Sequence, residues 1–193
     1  MEKGISYIGP HQVRTVQFAG LWGRPKVSSA VDRAKALEAA RKLDVMWDRE
    51  TGLGRHIVFS EENILGNIRR NLKAMATYPN LIQNHEVMGP ALEKVDVFYL
   101  SIRPLEDWWN SCLSFAIQHF CSPPSSTQLS KIAHNTTGWQ TVIKTFHDAF
   151  PKAQVKVLEF GAFTRFPAHQ LAQVTGWTDI PVLRQKKSAH EPL

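Results

Sequence analysis

Apolar and polar residues follow one another along this chain in blocks that predict strands separated by helices. Short apolar runs at Ile5–Ile8, His56–Phe59, Val97–Ile102 and Val155–Phe160 are typical of buried strands. Between them lie stretches rich in helix-forming residues, with apolar side chains spaced three and four apart. Strands that alternate with helices indicate an α/β fold with a mainly parallel central sheet, flanked by helices on both faces.

The clearest predicted helix spans Ala30 to Leu43, where Ala, Leu, Lys, Arg and Glu dominate. Its expected packing stripe is Val31, Ala34, Leu37 and Leu43. Ser60 is expected to cap a second helix that has Asn63 in its first turn and an apolar face of Ile64, Leu65, Ile68 and Leu72. Further helices are predicted around Val87 to Lys94, from Leu105 to about His119, from Gly138 to Phe150, and in a short segment ending at Val174.

Composition narrows the class of protein. With 193 residues and 43% apolar content, the chain is long enough for one domain with a sizeable core, and we expect residues 1–193 to form it. A net charge of +6 and a pI near 9.5 favour anionic partners. The basic residues are scattered among acidic ones, so a nucleic-acid partner is not favoured.

Cysteine usage and the amino terminus bear on the compartment. Cys112 and Cys121 match neither a metal-binding spacing nor a disulfide framework, so we expect no metal site. Residues 1–5 lack the apolar stretch of a signal peptide, and no window is apolar enough for a transmembrane segment. A reduced, cytoplasmic location is the expectation.

One segment carries a candidate anion site. Arg103 directly follows the predicted strand Val97–Ile102, and Ser111 lies about two turns into the next helix. Ligands of α/β proteins bind at the carboxyl ends of strands, and helix N-termini attract anions. A guanidinium and a hydroxyl at this position therefore predict a site for an anionic group.

Three segments together resemble a known family. They are Ile8–Val16 (IGPHQVRTV), Ser60–Gly66 (SEENILG) and Arg103–Ser111 (RPLEDWWNS). The chain resembles the sulfotransferases that use 3′-phosphoadenosine 5′-phosphosulfate (PAPS), in particular a bacterial branch with segments close to IGPHKTGTT, S-[DE]-E-N-x-L-G and R-P-x-x-x-W-x-x-S. The segments occur in the same order.

The resemblance implies a P-loop NTPase-like, three-layer architecture and transfer of a sulfuryl group from PAPS to a hydroxyl or amine acceptor. It assigns the 3′-phosphate to Arg103 and Ser111. The 5′-phosphosulfate would be held by the backbone of the first loop, made of Gly9, Pro10, His11, Gln12, Val13, Arg14, Thr15 and Val16. Phe18 and Trp22 are candidates to flank the adenine, and Arg184, Lys186 and Lys187 are candidates to close over the 3′-phosphate.

The first loop departs from the family pattern. Gln12 stands where members have Lys, Val13 replaces a small hydroxyl residue, and Arg14 replaces a Gly. Gln cannot neutralise the charge of the transferring group. Two interpretations stay open: Arg14 turns inward and restores the cation of a working transferase, or the loop has decayed and leaves a non-catalytic nucleotide- or anion-binding protein.

Sulfuryl transfer also needs a general base for the acceptor. Glu62 is the first choice, because Ser60–Asn63 follows a strand and is expected at the same sheet edge as the first loop. Glu61, His56 and His11 are weaker candidates. The predicted catalytic set is therefore Glu62 with Arg14 and Gln12.

Overall fold

The computed structural model describes residues 4–15, 30–82, 89, 91–135, 138–161 and 167–177. Its elements are β1 (Ile5–Ile8), α1 (Pro10–Thr15), α2 (Ala30–Gly52), β2 (His56–Phe59), a 3-10 turn (Glu62–Ile64), α3 (Ile68–Ala74), β3 (Val97–Ile102), α4 (Leu105–His119), α5 (Ser126–Ala133), α6 (Trp139–Ala149), β4 (Gln154–Glu159) and α7 (Pro167–Thr175). Outside the described residues lie the predictions for Val16, Phe18, Trp22, Arg184, Lys186 and Lys187, together with residues 87, 88 and 90 of the Val87 to Lys94 helix.

The described strands form two parallel pairs. β1 pairs with β2, and β3 pairs with β4, in registers that align Ile8 with Phe59 and Ile102 with Glu159. Each pair is joined through intervening helices, as parallel strands require. The predicted mixed α/β fold with parallel strands is thus confirmed. One continuous sheet in a three-layer architecture stays a prediction.

A single hydrophobic cluster connects the two strand pairs. Ile8 of β1 and Phe98 and Leu100 of β3 belong to it, and the ring of Phe98 lies 5.2 Å from that of Phe146 on α6. α2 packs on β2, and α6 packs on β4. The predicted apolar side of α6 is confirmed by the burial of Val142 and Phe146, against which Trp139 and Ile143 pack.

The packing stripe of α2 differs from the prediction. Leu43 is fully buried as expected, but Ala34 and Leu37 are exposed. The buried positions are Ala36, Ala39, Ala40, Leu43, Trp47 and Glu50. The helix continues nine residues beyond Leu43 to Gly52, and the indole of Trp47 donates to the carbonyl of Ala91 at 2.7 Å. This hydrogen bond fixes which face of the helix meets the core. Trp47 lies beyond residue 43, so the periodicity of residues 30–43 did not include it.

The helix predicted after Ser60 is divided. Glu61, not Ser60, caps the 3-10 turn through a bond from the backbone N–H of Asn63 at 2.8 Å. Gly66 then adopts φ +140°, a conformation that ends a helix and that glycine adopts without strain. Asn67 starts α3 as its N-cap. The expected single helix is therefore wrong, because Gly66 interrupts it.

The cap of α3 provides a stability prediction. The side-chain oxygen of Asn67 accepts from the backbone N–H of Arg70 at 3.1 Å. We expect Asn67→Ala to lower the free energy of unfolding by about 1 kcal/mol, the usual cost of losing an N-cap. Urea denaturation followed by circular dichroism measures it. Asn110→Ala, at an exposed position inside α4, is the control and should be neutral or slightly stabilising; equal losses would contradict the capping role.

A further helix, α5, was not predicted. α4 ends at His119, as expected, and the predicted helices leave residues 120–137 without one. Ser125 instead opens α5 with a capping box, in which its hydroxyl accepts from Gln128 N and the Gln128 side chain accepts from Ser125 N. The two prolines before it separate α4 from α5 rather than beginning a long loop.

Candidate active site

The segments that follow the strands converge at one edge of the molecule. Glu62 follows β2, Arg103 follows β3 and Phe160 follows β4, and all three line one pocket. Arg14, in the helix after β1, contacts Glu62. Ligands of parallel α/β proteins bind at the carboxyl ends of strands. The structure thus brings the three motif segments to the place where a ligand site is expected.

The first motif forms a helix where a phosphate-binding loop was predicted. α1 begins at Pro10, whose fixed φ suits a first helical position. The backbone N–H of Gly9 donates to Oε1 of Gln12 at 2.8 Å, and that of Val13 donates to the carbonyl of Gly9 at 3.2 Å. Gln12 therefore serves as a helix-capping residue, and Val13 is fully buried in the core. An open loop over these residues is the wrong description.

Gly9 lies against the ring of Tyr7. A Cβ at this position would lie 2.8 Å from Cε1 of Tyr7, closer than side-chain atoms approach one another. Because Tyr7 is 54% exposed, its ring can move aside, so this contact disfavours a larger residue without requiring glycine.

Arg14 is held by two carboxylates. Its Nε donates to Oε2 of Glu61 at 3.1 Å, and its Nη2 donates to Oε1 of Glu61 and to Oε1 of Glu62, both at 2.8 Å. The bidentate bond with Glu61 is the strong form of an arginine–carboxylate pair. The hydrogen bond with Glu61, followed by that with Glu62, raises the pKa of Arg14 above its ordinary range. Arg14 stays charged, and its charge is already compensated.

Glu61 is the hub of this cluster. Its side chain is fully buried, and Oε1 also accepts from the backbone N–H and the side-chain amide of Asn63, at 2.8 and 3.0 Å. With these bonds, Glu61 ties α1 to the segment after β2 and caps the 3-10 turn. Glu62 is different, because 77% of its side chain is exposed. Of the two candidate carboxylates, Glu62 is the one that faces the pocket.

The pocket encloses about 300 Å³. It is lined by Glu62, Tyr78, Ser101, Arg103, Trp108, Trp139, Phe160 and Gln170. The guanidinium of Arg103 lies over the Phe160 ring, 5.2 Å from its centre, and the indole of Trp139 donates to the Arg103 carbonyl at 2.7 Å. Both the backbone and the side chain of Arg103 are therefore fixed at the pocket wall.

Three aromatic rings form one side of the pocket. The ring centre of Trp108 lies 5.3 Å from that of Tyr78 and 5.8 Å from that of Trp139, and Tyr78 lies 6.1 Å from Trp139. Rings at these distances stabilise one another. The rings are tilted or edge-on to one another, at interplanar angles of 47° to 80°, so the pocket combines a packed aromatic wall with one guanidinium and one exposed carboxylate.

Three other residues predicted for the site, Ser111, His11 and His56, are not among the described residues that line the pocket. Ser111 is exposed on α4 and is not among the described residues that line the Arg103 pocket. His11 is exposed on α1, which also contains Thr15. His56 opens β2 opposite Ile5, at the amino ends of the strands, so it lies at the edge away from the pocket and is removed from the candidates for the general base.

Sequence reasoning missed several pocket residues. Ser101 had a detectable signal, because it precedes Arg103 by two positions at the end of a strand and such residues point to the same face. Tyr78 had none, because it lies beyond α3 in a left-handed turn that no periodic pattern predicts. Phe160 was read only as the last strand residue, and Gln170 lies in α7, far along the chain.

Comparison of the chain with known proteins finds no relative. No family model matches the chain, and neither the curated proteins nor the solved structures provide a match. Within the described ranges, no three His, Cys, Asp or Glu side chains are grouped as metal ligands. None of the described helices is long and apolar enough to cross a membrane.

Proposed function

We propose that this protein binds a nucleotide-type organic anion in the Arg103 pocket, on a P-loop NTPase-like, three-layer fold of the PAPS-sulfotransferase kind, without transferring a sulfuryl group. The observation that carries the proposal is the pairing of Arg14 with both Glu61 and Glu62. It favours the second of the two interpretations of the altered first motif. A transferase requires an uncompensated cation where this chain has a compensated one.

The charges near the first motif argue against sulfuryl transfer. Stabilising the transferring group takes cations or donors that are free to meet developing negative charge, and such groups commonly contribute several kcal/mol. Here two carboxylates outweigh one guanidinium, and the Gln12 side chain accepts a bond from Gly9. An anion placed beside α1 would meet net negative charge.

The Arg103 pocket offers what an organic anion needs. Its guanidinium presents donors in the planar arrangement that suits phosphate and sulfate oxygens. Tyr78, Trp108 and Trp139 supply faces and edges for a planar base. The volume of about 300 Å³ lies at the lower end of small-molecule sites, so it fits a base and one anionic group better than a larger compound. The net charge of +6 favours the approach of anions.

Sulfuryl transfer from PAPS is the second candidate, and one observation favours it. Glu62 has an exposed carboxylate in the same pocket as Arg103, where it is able to accept a proton from an acceptor hydroxyl or amine. In that case the pocket would hold the acceptor, and the donor would bind elsewhere. The two candidates make opposite predictions for turnover.

Binding of 3′-phosphoadenosine 5′-phosphate tests the proposal. We expect Arg103→Gln to weaken binding about tenfold or more in calorimetric titration, because it removes a charge-assisted bond. Arg69→Gln is the matched control, since Arg69 also lies over an aromatic ring, that of Phe120 at 4.4 Å, but is not among the residues that line the pocket. Equal affinities for the wild type and Arg103→Gln would overturn the site.

Turnover separates the two candidates. Wild-type protein incubated with PAPS and a panel of phenols, alcohols and amines should yield no sulfated product. If product forms and Glu62→Gln abolishes it, the transferase replaces the binding protein as the function. The affinity for 3′-phosphoadenosine 5′-phosphate, measured on the same samples, shows whether a loss of product reflects chemistry or binding.

A further inference from the structure

The segment that carries Tyr78 into the pocket concentrates unfavourable conformations. Met75 and Tyr78 have φ values of +51° and +49°, and they are the non-glycine residues with positive φ in the part of the chain that is described. The left-handed region costs a bulky side chain of order 1–3 kcal/mol. Such residues persist only where surrounding contacts fix them, and they cluster at functional sites.

Buried polar atoms without partners lie in the same segment. Over the described ranges, the buried side-chain atoms that lack a hydrogen-bond partner are Asn71 Nδ2 and Thr77 Oγ1. Both residues are at least 98% buried. Unpaired buried polar groups destabilise a protein. The strained backbone and the unpaired atoms thus fall within eight residues of one another, beside the pocket.

Specific contacts hold this conformation. The side-chain oxygen of Asn71 accepts from the backbone N–H of Tyr78 at 3.2 Å, and the Asn135 amide donates to the Met75 carbonyl at 2.8 Å. Gly66 packs against the tyrosine ring, where a Cβ would lie 3.3 Å from Cδ1 of Tyr78. These contacts come from the Gly66–Asn71 segment and from Asn135, and together they hold the turn that carries Tyr78.

The phenol of Tyr78 lies among the polar groups of the pocket. Burial raises the pKa of Tyr78 to about 12. The indole of Trp108 and the charge of Arg103 lower the pKa of this hydroxyl and the charge of Glu62 raises it, but each effect is smaller than that of burial. The hydroxyl therefore keeps its proton at every physiological pH. It is able to donate a hydrogen bond and carries no negative charge that would repel an anionic ligand.

We propose that Tyr78 is a ligand-contacting residue whose hydroxyl donates to an oxyanion, a phosphate, sulfate or carboxylate, that Arg103 binds, and that Asn71 is its positioning residue. The inference rests on the proposed function, which places an organic anion in this pocket. It narrows the ligand to a planar compound with an oxygen acceptor close to its ring. It also gives a reason for the strained segment. The conformational free energy that this segment costs holds the Tyr78 hydroxyl in position before the ligand binds.

Tyr78→Phe tests the inference, because it removes only the hydroxyl. We expect about tenfold weaker binding of 3′-phosphoadenosine 5′-phosphate. Binding of adenosine, which lacks the phosphates, should be unchanged, since the ring still packs on Trp108. A merely structural role for the hydroxyl would not distinguish the two ligands. Tyr99→Phe is the matched control, as its hydroxyl donates to the carbonyl of Gln173 at 3.0 Å, outside the pocket.

Asn71→Ala, made in the wild type and in Tyr78→Phe, tests the positioning role. It should weaken binding in the wild type and have little further effect once the hydroxyl is gone. If Asn71→Ala proves unfolded by circular dichroism, Tyr78→Phe alone decides. Binding that depends on Arg103 but is unchanged in Tyr78→Phe overturns this inference and leaves the proposed function standing. No binding of 3′-phosphoadenosine 5′-phosphate to the wild type overturns both.

Discussion

Replacing Glu61 with alanine is expected to lower the free energy of unfolding by about 3 kcal/mol. Removing one partner of a buried ion pair typically costs about 3–5 kcal/mol. The lower end applies, because 40% of the Arg14 side chain is exposed and water reaches the guanidinium that remains. The substitution also removes the acceptor for both nitrogens of Asn63. Urea denaturation monitored by tryptophan fluorescence measures the loss.

Glu62→Ala is the matched control for this experiment. Glu62 is the next residue, binds the same Nη2 atom of Arg14 at the same distance of 2.8 Å, and is mostly exposed. Exposed ion pairs contribute up to about 1 kcal/mol. A Glu62→Ala loss as large as that of Glu61→Ala would show that burial does not separate the two carboxylates. Losses near zero for both would contradict the pairing with Arg14.

The contrast between Glu61 and Glu62 shows where sequence reasoning ended. Two adjacent acidic residues after a strand predict a carboxylate at the carboxyl end of the sheet, and the structure places both there. Their roles depend on Arg14, which lies 47 residues from Glu61 in sequence. The local sequence pattern does not show whether Glu61 or Glu62 forms the buried pair with the Arg14 guanidinium.

Strands were easier to predict than the helices around the site. Apolar runs bounded by turn residues identified β1, β2 and β3 with their observed bounds and β4 within one residue, because each is a short run rich in apolar and β-branched residues. The first motif misled for a physical reason. Glycine followed by proline is typical of a loop, yet Pro10 and Gln12 also suit the first turn of a helix, and the bond from Gly9 N to the Gln12 side chain decided the outcome.

The anion site was predicted in part. Arg103 does lie at the carboxyl end of β3 and lines a pocket, as its place in the sequence indicates. The proposed partner Ser111 is not among the residues that line it, while Ser101 and Tyr78 are. Tyr78 reaches the pocket through a left-handed turn fixed by Asn71 and Asn135, and no periodic pattern predicts such a turn.

The second large effect is expected at alkaline pH, where the protein should lose about 5 kcal/mol of stability between about pH 9 and 12. Two groups cause it, the buried thiol of Cys112 and the partly buried phenol of Tyr78. Burial raises the pKa of the Cys112 thiol from its ordinary 9.0 to about 11 and that of the Tyr78 phenol from 10.0 to about 12. Glu62 and the Cys112 thiolate also raise the pKa of Tyr78, whereas Arg103 lowers those of both groups.

The sign follows from proton binding. As the pH rises above 9, the unfolded chain releases both protons at ordinary pKa values while the folded chain still holds them. The unfolded state then binds fewer protons, so the free energy of unfolding falls with pH. The contribution is complete below pH 9 and is lost by about pH 12. A tenfold change in proton affinity corresponds to about 1.4 kcal/mol, so each group, whose proton affinity rises about a hundredfold, contributes about 2.7 kcal/mol. Together they contribute about 5 kcal/mol, a large share of the stability of an ordinary domain.

Guanidinium chloride denaturation at pH 8, 10 and 11.5, with a reducing agent present, measures this loss. Tyr78→Phe and Cys112→Ala should each remove about half of the pH dependence, and the double variant should remove most of it. Tyr99→Phe and Cys121→Ala are the controls, since Cys121 is exposed and Tyr99 is not packed against the pocket aromatics. A double variant that loses stability above pH 9 as steeply as the wild type would show that neither proton is retained by burial.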